Sequence, residues 1–236
     1  MSNPLYMDDC YLKEFEATVE SVKDDKYIVL NQTAFYPLSG GVAYDTGVFL
    51  RGNEEFPVVY VGKFDDAISH EVSKPGLKQN DKIIGKIDWE RRYKLMRLHT
   101  SAHLLAAIFH NKSGALITGG KIEPDQGRMD FSLENFDRQI IDGYCKLANE
   151  LIQKDAPVKI SYMKREEALK IPDMIKLANK MPPDVETLRI VEIEGIDKQA
   201  DGGCHVKSLK ELGKIEILKV ENKGKNNRRV YYAVKD

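Results

Sequence analysis

The chain has 236 residues, of which 42% are hydrophobic and 31% are charged, a balance that suits a folded protein and excludes a disordered one. Its formal net charge is −1, so contact with nucleic acid has to come from local clusters of Lys and Arg. The chain as a whole offers no electrostatic attraction to a polyanion.

Cysteine usage and the absence of long apolar runs indicate the compartment. Cys10, Cys145 and Cys204 are odd in number and far apart, which excludes a disulfide framework and fits a reducing interior. The first residues lack the basic flank and apolar run of a secretory signal, and no run approaches the ~20 residues of a membrane helix. We therefore expect a cytoplasmic protein that does not bind membranes.

Short β segments follow one another up to about residue 88, rich in Val, Ile, Tyr and Phe and separated by Gly, Asp, Asn and Pro. They are predicted at Phe15–Val22, Tyr27–Leu30, Val48–Leu50, Phe56–Val61 and Ile83–Ile87. Many short strands at close spacing are typical of a small barrel or a sandwich. Residues 1–88 are therefore predicted to form a β domain.

A helix is predicted from Glu90 to Lys112, where the pattern changes. Asp88 is its expected N-cap and Gly114 its expected end. Its apolar residues recur at spacings of three and four and form one stripe. The members of this stripe are Leu95, Leu98, Ala102, Leu105 and Phe109.

Helices and strands mix in the rest of the chain. A second helix is predicted from Leu133 to Lys154 and a shorter one over Lys164–Lys170. Strands are predicted at Leu188–Ile193 and Ile215–Val220, the latter opening a hairpin that runs to Val234 and turns near residues 223–227. Residues 89–236 are therefore predicted to form an α+β domain.

Two histidines lie four residues apart on the first predicted helix. This spacing puts His99 and His103 on one face, one turn apart, where two ring nitrogens can reach one ion at ~2.0–2.1 Å. Taken alone, the pair fits two polar residues at the edge of the core equally well.

A second cluster favours the metal. Asp201, Cys204 and His205 accompany two glycines, which let the backbone turn ligands inward. Imidazole combined with thiolate or carboxylate suits zinc, so we predict a zinc site at His99, His103 and His205. The glutamate base of the metalloprotease helix and the cysteine pair of the nucleoside deaminases are both missing from the sequence.

Four segments resemble the alanyl-tRNA editing proteins of the AlaX family and the editing domain of alanyl-tRNA synthetase. Arg97–Leu105 (RLHTSAHLL) is similar to the first zinc motif of the family, and Asp201–Val206 (DGGCHV) to the second. Glu211–Ile215 (ELGKI) resembles the segment that follows. Phe35–Gly47 (FYPLSGGVAYDTG) resembles the glycine-rich motif of the longer members.

This chain departs from the family pattern at two positions. Val42 stands where the glycine-rich motif usually has Gln, and Asp201 stands where the second zinc motif usually has Cys. The alignment with the motif favours Asp201 as the fourth ligand, whereas the preference of zinc for sulfur favours Cys204. Both alternatives stay open at this point.

The resemblance implies a fold and a reaction. The fold is α+β overall, with an N-terminal small β-barrel over residues 1–88 and a zinc-binding α+β editing domain over 89–236. The reaction is hydrolysis of the ester in Ser-tRNA(Ala), and also in Gly-tRNA(Ala), which serves translation fidelity. Gly40 and Gly41 of the glycine-rich motif, and Thr118 after the zinc helix, are the substrate-binding residues that the resemblance implies.

Basic residues cluster near the C-terminus beside Tyr231 and Tyr232, a pattern that suits contact with tRNA. It is also common on a solvated hairpin. The candidates for tRNA binding are Lys223, Lys225, Arg228 and Arg229, with Lys219 and Lys235 nearby. A second basic stripe on the first helix fits either tRNA contact or a solvent face, and it consists of Arg91, Arg92, Lys94 and Arg97.

Two other functions compete with editing of Ser-tRNA(Ala). One is a non-catalytic tRNA-binding module whose zinc only stabilises the fold, and the other is editing of another tRNA, such as the threonyl type. In an enzyme, zinc either activates water or the ester carbonyl, or orients the amino group of the substrate. No DNA partner is expected.

Overall fold

The computed structural model describes residues 2–64, 67–134, 137–171, 174, 176, 178 and 184–236. The chain divides into two units, Met1–Leu95 and Met96–Asp236, and the division falls inside the first long helix, α1 (Trp89–Ser113). The functional boundary at residue 88 stays a prediction. Within the described ranges, no helix has the length and apolar character needed to cross a membrane.

Eight strands are described in the first unit. They are β1 (Asn3–Pro4), β2 (Glu14–Lys23), β3 (Tyr27–Leu30), β4 (Gln32–Thr33), β5 (Gly47–Arg51), β6 (Glu54–Phe64), β7 (Ala67–Val72) and β8 (Lys82–Ile87). Six of them close into a barrel in the order β2-β3-β7-β6-β5-β8, and β1 pairs with β4 in parallel. Of the two architectures that the strand pattern allowed, the structure has the barrel.

The barrel interior follows from alternation along the strands. In β2, Phe15 and Val19 are buried, because side chains two residues apart share a face. The rings of Phe35, Phe49 and His70 pack against one another inside the barrel, with centroids 5.2–5.5 Å apart. Phe15 packs against Phe35 at 5.9 Å. The interior is therefore aromatic and contains one imidazole.

A buried ion pair holds the glycine-rich segment at its base. Arg92 and Asp45 are each 1% exposed, and Arg92 Nε donates to Asp45 Oδ1 at 2.9 Å. The Asp45 carboxylate also accepts from the backbone N–H of Tyr36 at 2.6 Å. The segment between Tyr36 and Asp45 contains Gly40 and Gly41, whose φ values of +60° and +83° suit glycine.

The expected basic stripe on α1 has to be corrected, because two of its members are buried. Arg92 is 1% and Arg97 9% exposed, so neither lies on a solvent face or a tRNA-binding face. Arg97 donates to Asp236 Oδ1 at 2.7 Å and to the carbonyl of Leu212 at 2.8 Å. Sequence spacing could not distinguish these paired guanidinium groups from solvated ones.

The second unit combines two antiparallel sheets with helices. One sheet has the order β14-β15-β10-β9 and the other the order β11-β12-β13. The elements are β9 (Ile117–Glu123), β10 (Gln126–Phe131), α2 (Arg138–Ile152), β11 (Val158–Lys164), α3 (Arg165–Ala168), β12 (Thr187–Ile193), β13 (Asp197–Ala200), β14 (Lys214–Asn222) and β15 (Arg228–Lys235). The fold is a mixture of helices and sheets, as predicted.

The ends of the helices show how local signals act. Asp88 caps α1 by accepting from the N–H of Arg91 at 3.2 Å, and Gly114 ends it with φ +68°. The second helix begins at Arg138, with Asp137 as its N-cap, and not at Leu133 as predicted. The strand pairing continues past β10 instead, because the N–H of Ser132 donates to the carbonyl of Leu116. Residues 135–136 of that predicted helix lie outside the described residues.

The predicted apolar stripe of α1 is buried, but every residue from 95 to 109 is buried with it, so this part of the helix is enclosed on all faces and not along one stripe as predicted. In the second unit, the Phe109 ring stacks on Phe131 at 4.2 Å between centroids. The Tyr232 hydroxyl donates to the carbonyl of Leu98 at 3.0 Å. These contacts hold α1 against the four-stranded sheet, while His103 of the same helix contacts Asp197 on β13 of the second sheet.

Candidate metal centre

Two segments of the second unit bring together four residues that could hold a metal ion. Helix α1 carries His99 and His103, one turn apart, and the chain after β13 carries Asp201 and His205. One ligand atom from each lies within 4.8 Å of all the others. The group is nearly closed to solvent, since the three histidines are at most 7% exposed.

The Nε2 atoms of the three imidazoles converge on the Asp201 carboxylate. His205 Nε2 lies 3.1 Å from Oδ1, and the Nε2 atoms of His99 and His103 lie 3.6 and 3.7 Å from Oδ2. Three nitrogens and a carboxylate facing one point form a donor set that suits a divalent transition metal.

Each imidazole also has a separate partner at Nδ1. His99 faces the carbonyl of Cys204 at 3.3 Å, His205 the hydroxyl of Thr100 at 3.1 Å, and His103 the carboxylate of Asp197 at 3.2 Å. When Nδ1–H donates to such a partner, the Nε2 lone pair is left for a metal. The four residues can therefore hold a metal ion.

Glycine is required at position 203 because His99 lies against it. A Cβ there would stand 2.4 Å from Cε1 of His99. The N–H of Gly203 also donates to Asp201 Oδ1 at 2.6 Å, which orients that carboxylate. The glycine thus makes room for one ligand and holds another.

Burial and mutual charge control protonation in this group. Burial lowers the pKa of His99 to about 4, and burial together with the charge of His99 lowers the pKa of His205 well below its usual range. Both rings are therefore neutral at pH 7, as metal ligands must be. Burial lowers the pKa of His103 too, but hydrogen bonds to Asp197 and Asp201 outweigh it and raise that pKa to about 9.

The carboxylates of Asp201 and Asp197 both stay ionised. Burial raises the pKa of Asp201, but the charge of His99 and the hydrogen bonds from the other two histidines hold it well below its usual range. Burial also opposes ionisation of Asp197, and the hydrogen bonds and charges of His103 and Lys176 together outweigh it and lower that pKa. Asp201 therefore offers a charged oxygen to a cation.

The structure gives Asp201 and Cys204 different positions. The carboxylate of Asp201 belongs to the group, whereas Cys204 is involved through its backbone carbonyl, which faces His99. Among the described residues, the thiol of Cys204 is not part of the metal-binding group. The geometry favours Asp201 as the fourth ligand, and that role stays a proposal.

Sequence reasoning missed three residues around the ligands. Thr100 lies between the two helical histidines and holds His205. Asp197 is the first residue of β13 and lies four residues before Asp201, which follows the strand, so a period of two continued past the strand end would have placed both on one face. No sequence signal points to Lys176, whose Nζ lies 2.7 Å from Asp197 Oδ1.

The expected substrate residues are not among the four members of the metal group. Thr118 is an exposed residue of β9, and its hydroxyl donates to Asn227 Oδ1 at 3.0 Å. Gly40 and Gly41 belong to the first unit, on an exposed turn where Ser39 bridges to Val42. Their roles in substrate binding stay predictions.

The four basic residues predicted to bind tRNA differ in exposure. Lys223 and Lys225 are exposed in the turn between β14 and β15, and Lys223 pairs with Glu221 at 2.9 Å. Arg229 is partly buried and pairs with Asp130 at 2.7 Å. Arg228 is 5% exposed and donates to the carbonyl of Gly224 and to Asn222, so it holds this turn together.

Comparison with known proteins gives the class and then the family. Residues 188–231 match the model described as the threonyl and alanyl tRNA synthetase second additional domain, and residues 7–91 match that of class II (A) tRNA synthetases. The chain is 50% identical to the alanyl-tRNA editing protein AlaX-M of Saccharolobus solfataricus and 47% identical to that of Methanosarcina barkeri, over the full length of each. It therefore belongs to the AlaX-M family of alanyl-tRNA editing proteins.

A larger enzyme contains a similar region. The chain is 36% identical to the alanine–tRNA ligase of Pyrococcus abyssi over 97% of its own length, which is 25% of that ligase. The resemblance to the synthetase editing domain, inferred from four motifs, thus extends over nearly the whole chain.

Proposed function

We propose that this protein hydrolyses the ester of alanine tRNA charged with serine, and also with glycine, and spares Ala-tRNA(Ala). The observation that carries the proposal is the convergence of three histidine Nε2 atoms on Asp201 in a chain that matches alanyl-tRNA editing proteins from end to end. The similarity of the chain to a region of alanine–tRNA ligase supports the same substrate class.

A separate editing site has a physical reason to exist. A synthetase pocket that accepts alanine gains only ~1–3 kcal/mol from one methyl group, so it discriminates weakly against glycine. An added hydroxyl, as in serine, is rejected weakly as well. A second site that seeks a hydroxyl can remove serine because alanine cannot make that contact.

Zinc is the ion we assign to the group, held by His99, His103, His205 and Asp201. When bound, it would act as a Lewis acid on the ester carbonyl or on water, or would hold the amino group of the substrate. Gly203 and Thr100 orient the ligand side chains, and burial excludes bulk water from the histidines.

Substrate and tRNA contacts complete the proposal. We assign the hydroxyl-seeking contact to Thr118, which is exposed at the start of β9. We assign substrate binding also to Gly40 and Gly41 on the exposed turn of the barrel domain, and tRNA contact to the exposed Lys223 and Lys225. The barrel domain, residues 1–88, then contributes tRNA selectivity, and residues 89–236 contribute the editing chemistry.

A deacylation assay tests the proposal. The full chain is incubated with Ser-, Gly- and Ala-tRNA(Ala) and with Ser-tRNA of the threonine type, and release of the amino acid is followed. We expect release from the first two alone and loss of release in His103→Ala. His110→Ala is the matched control, because His110 lies on the same helix outside the ligand group.

Each other result selects a different function. Stoichiometric tRNA binding without release of serine would identify a non-catalytic module. Preferential hydrolysis of the threonine-type tRNA would overturn the alanyl assignment. A fully active His103→Ala would separate the activity from the metal group.

A further inference from the structure

Asp197 occupies an unusual place beside the metal group. Its side chain is fully buried, and each carboxylate oxygen has its own partner. Oδ1 accepts from Lys176 Nζ at 2.7 Å, and Oδ2 faces His103 Nδ1 at 3.2 Å and the amide of Gln199 at 2.8 Å. One carboxylate therefore links a buried lysine to a ligand imidazole.

Stability alone is a weak reason to keep this arrangement. The free energy needed to remove a carboxylate and an ammonium from water can exceed the attraction between them. Replacing such a buried pair by apolar residues often leaves the stability unchanged or higher. Asp197 also directs its second oxygen away from Lys176 and at His103. The pair thus does more than neutralise one lysine.

The three ligand histidines differ in what faces their Nδ1 atoms. His99 faces a backbone carbonyl and His205 a threonine hydroxyl, both neutral, whereas His103 faces an ionised carboxylate. A carboxylate at Nδ1 fixes the ring orientation, keeps the proton on Nδ1 and makes Nε2 a better donor to a metal.

We propose that Asp197 is a positioning residue for the metal site, which orients His103 through Nδ1 and is itself held and charge-balanced by buried Lys176. The inference rests on the metal site of the proposed function. Asp197 lies outside the group of metal-binding residues and acts through His103.

The central variant is Asp197→Asn, which keeps the shape and removes the charge. The asparagine amide can turn its NH2 toward His103 and donate to Nδ1, which moves the ring proton to Nε2, where the metal should bind. We expect the zinc affinity of the full-length protein, measured by competition with a chromophoric chelator, to fall ~10–100-fold.

Two further variants separate positioning from stability. Asp130 forms another partly buried ion pair in the same unit, with Arg229. Asp130→Asn removes the anion of that pair and is the control, which should leave zinc affinity unchanged. The double variant Asp197→Asn/Lys176→Met leaves no unpaired charge, so it folds even if the single variant does not. Under this proposal its zinc affinity stays low, whereas full recovery would mean that Asp197 serves Lys176 only.

Cobalt supplies a readout of the ligand field. In Asp197→Asn and in the double variant, the d–d bands of bound Co²⁺ should shift, because the strength and direction of the His103 donor change. Unshifted bands with unchanged zinc affinity would overturn the inference while leaving the metal site intact. Failure of the wild-type chain to bind zinc or cobalt would instead overturn the metal site itself.

Discussion

Gly203 lies against the imidazole of His99 so closely that a Cβ at position 203 would stand 2.4 Å from Cε1 and 2.7 Å from Nδ1 of the ring. The close approach joins two parts of the site that are a hundred residues apart in the chain. One is the helix that carries His99 and His103 of the candidate metal group, and the other is a turn whose N–H orients the Asp201 carboxylate.

Gly203→Ala is therefore expected to displace His99 and to weaken metal binding by at least tenfold. The cause is steric, because the methyl group has to occupy space that the ring fills. Zinc affinity by chelator competition checks it. The control is Gly143→Ala on helix α2, where an added Cβ meets no atom within 4 Å. This variant should stabilise the fold by ~0.5–1 kcal/mol and leave zinc affinity unchanged.

The choice between Asp201 and Cys204 can be decided by substitution. Because the Asp201 carboxylate faces three Nε2 atoms, Asp201→Ala should lower zinc affinity by more than ~100-fold. Substitution of a residue that only holds a ligand in place lowers metal affinity by at most about 100-fold. Cys204→Ser should leave affinity nearly unchanged. A sulfur-to-metal charge-transfer band in the cobalt-substituted protein would contradict this assignment.

Stability of the barrel should depend on pH through His70. Burial lowers the pKa of His70 to about 4, although its hydrogen bond to the Ile28 carbonyl opposes the shift. Between pH 6.5 and 4 the unfolded chain takes up a proton that the folded chain excludes. The stabilisation is therefore complete above pH 6.5 and is lost as pH falls toward 4, about 3 kcal/mol in all.

His70→Gln is the comparison that isolates this effect, because glutamine can keep polar contacts with Thr33 and Ile28 but does not titrate. Unfolding in denaturant is measured from pH 4 to 7.5 for both proteins. The wild type should lose more stability on acidification than the variant. Parallel curves for the two proteins would show that the buried imidazole is not the cause.

Lys225 and Arg228 should respond differently to substitution by alanine. Lys225 is exposed, so its loss should raise the KM for charged tRNA and reduce the salt dependence of binding, with kcat and melting temperature little changed. Arg228 is buried and bonded to Gly224 and Asn222, so its loss should lower the melting temperature. An unchanged melting temperature in Arg228→Ala would contradict its structural role.

The sequence predicted the elements whose signals are local and periodic. The helix α1 itself, its Asp88 cap and the spacing of His99 and His103 belong to this class, because each needs only neighbours within one or two turns. The motif that contains Asp201 and His205 was recognisable as well, through its glycines and its resemblance to a known family.

Features that depend on tertiary contacts could not be predicted. Arg92 has the same local pattern as a solvated arginine, and only the fold brings Asp45 to it. Lys176 and Asp197 are 21 residues apart in sequence, and the partner that joins them to the site, His103, lies on another element. The start of α2 was misplaced because the strand pairing at Ser132 outweighed helix propensity.

Metal-dependent deacylation is the central claim, and hydrolysis of Ser-tRNA(Ala) before and after metal removal tests it most directly. The full chain is assayed as purified, after exhaustive chelation, and after one equivalent of zinc is added back. We expect chelation to abolish release of serine and zinc to restore it, with Ala-tRNA(Ala) intact throughout. Undiminished hydrolysis by protein verified to be metal-free would contradict it.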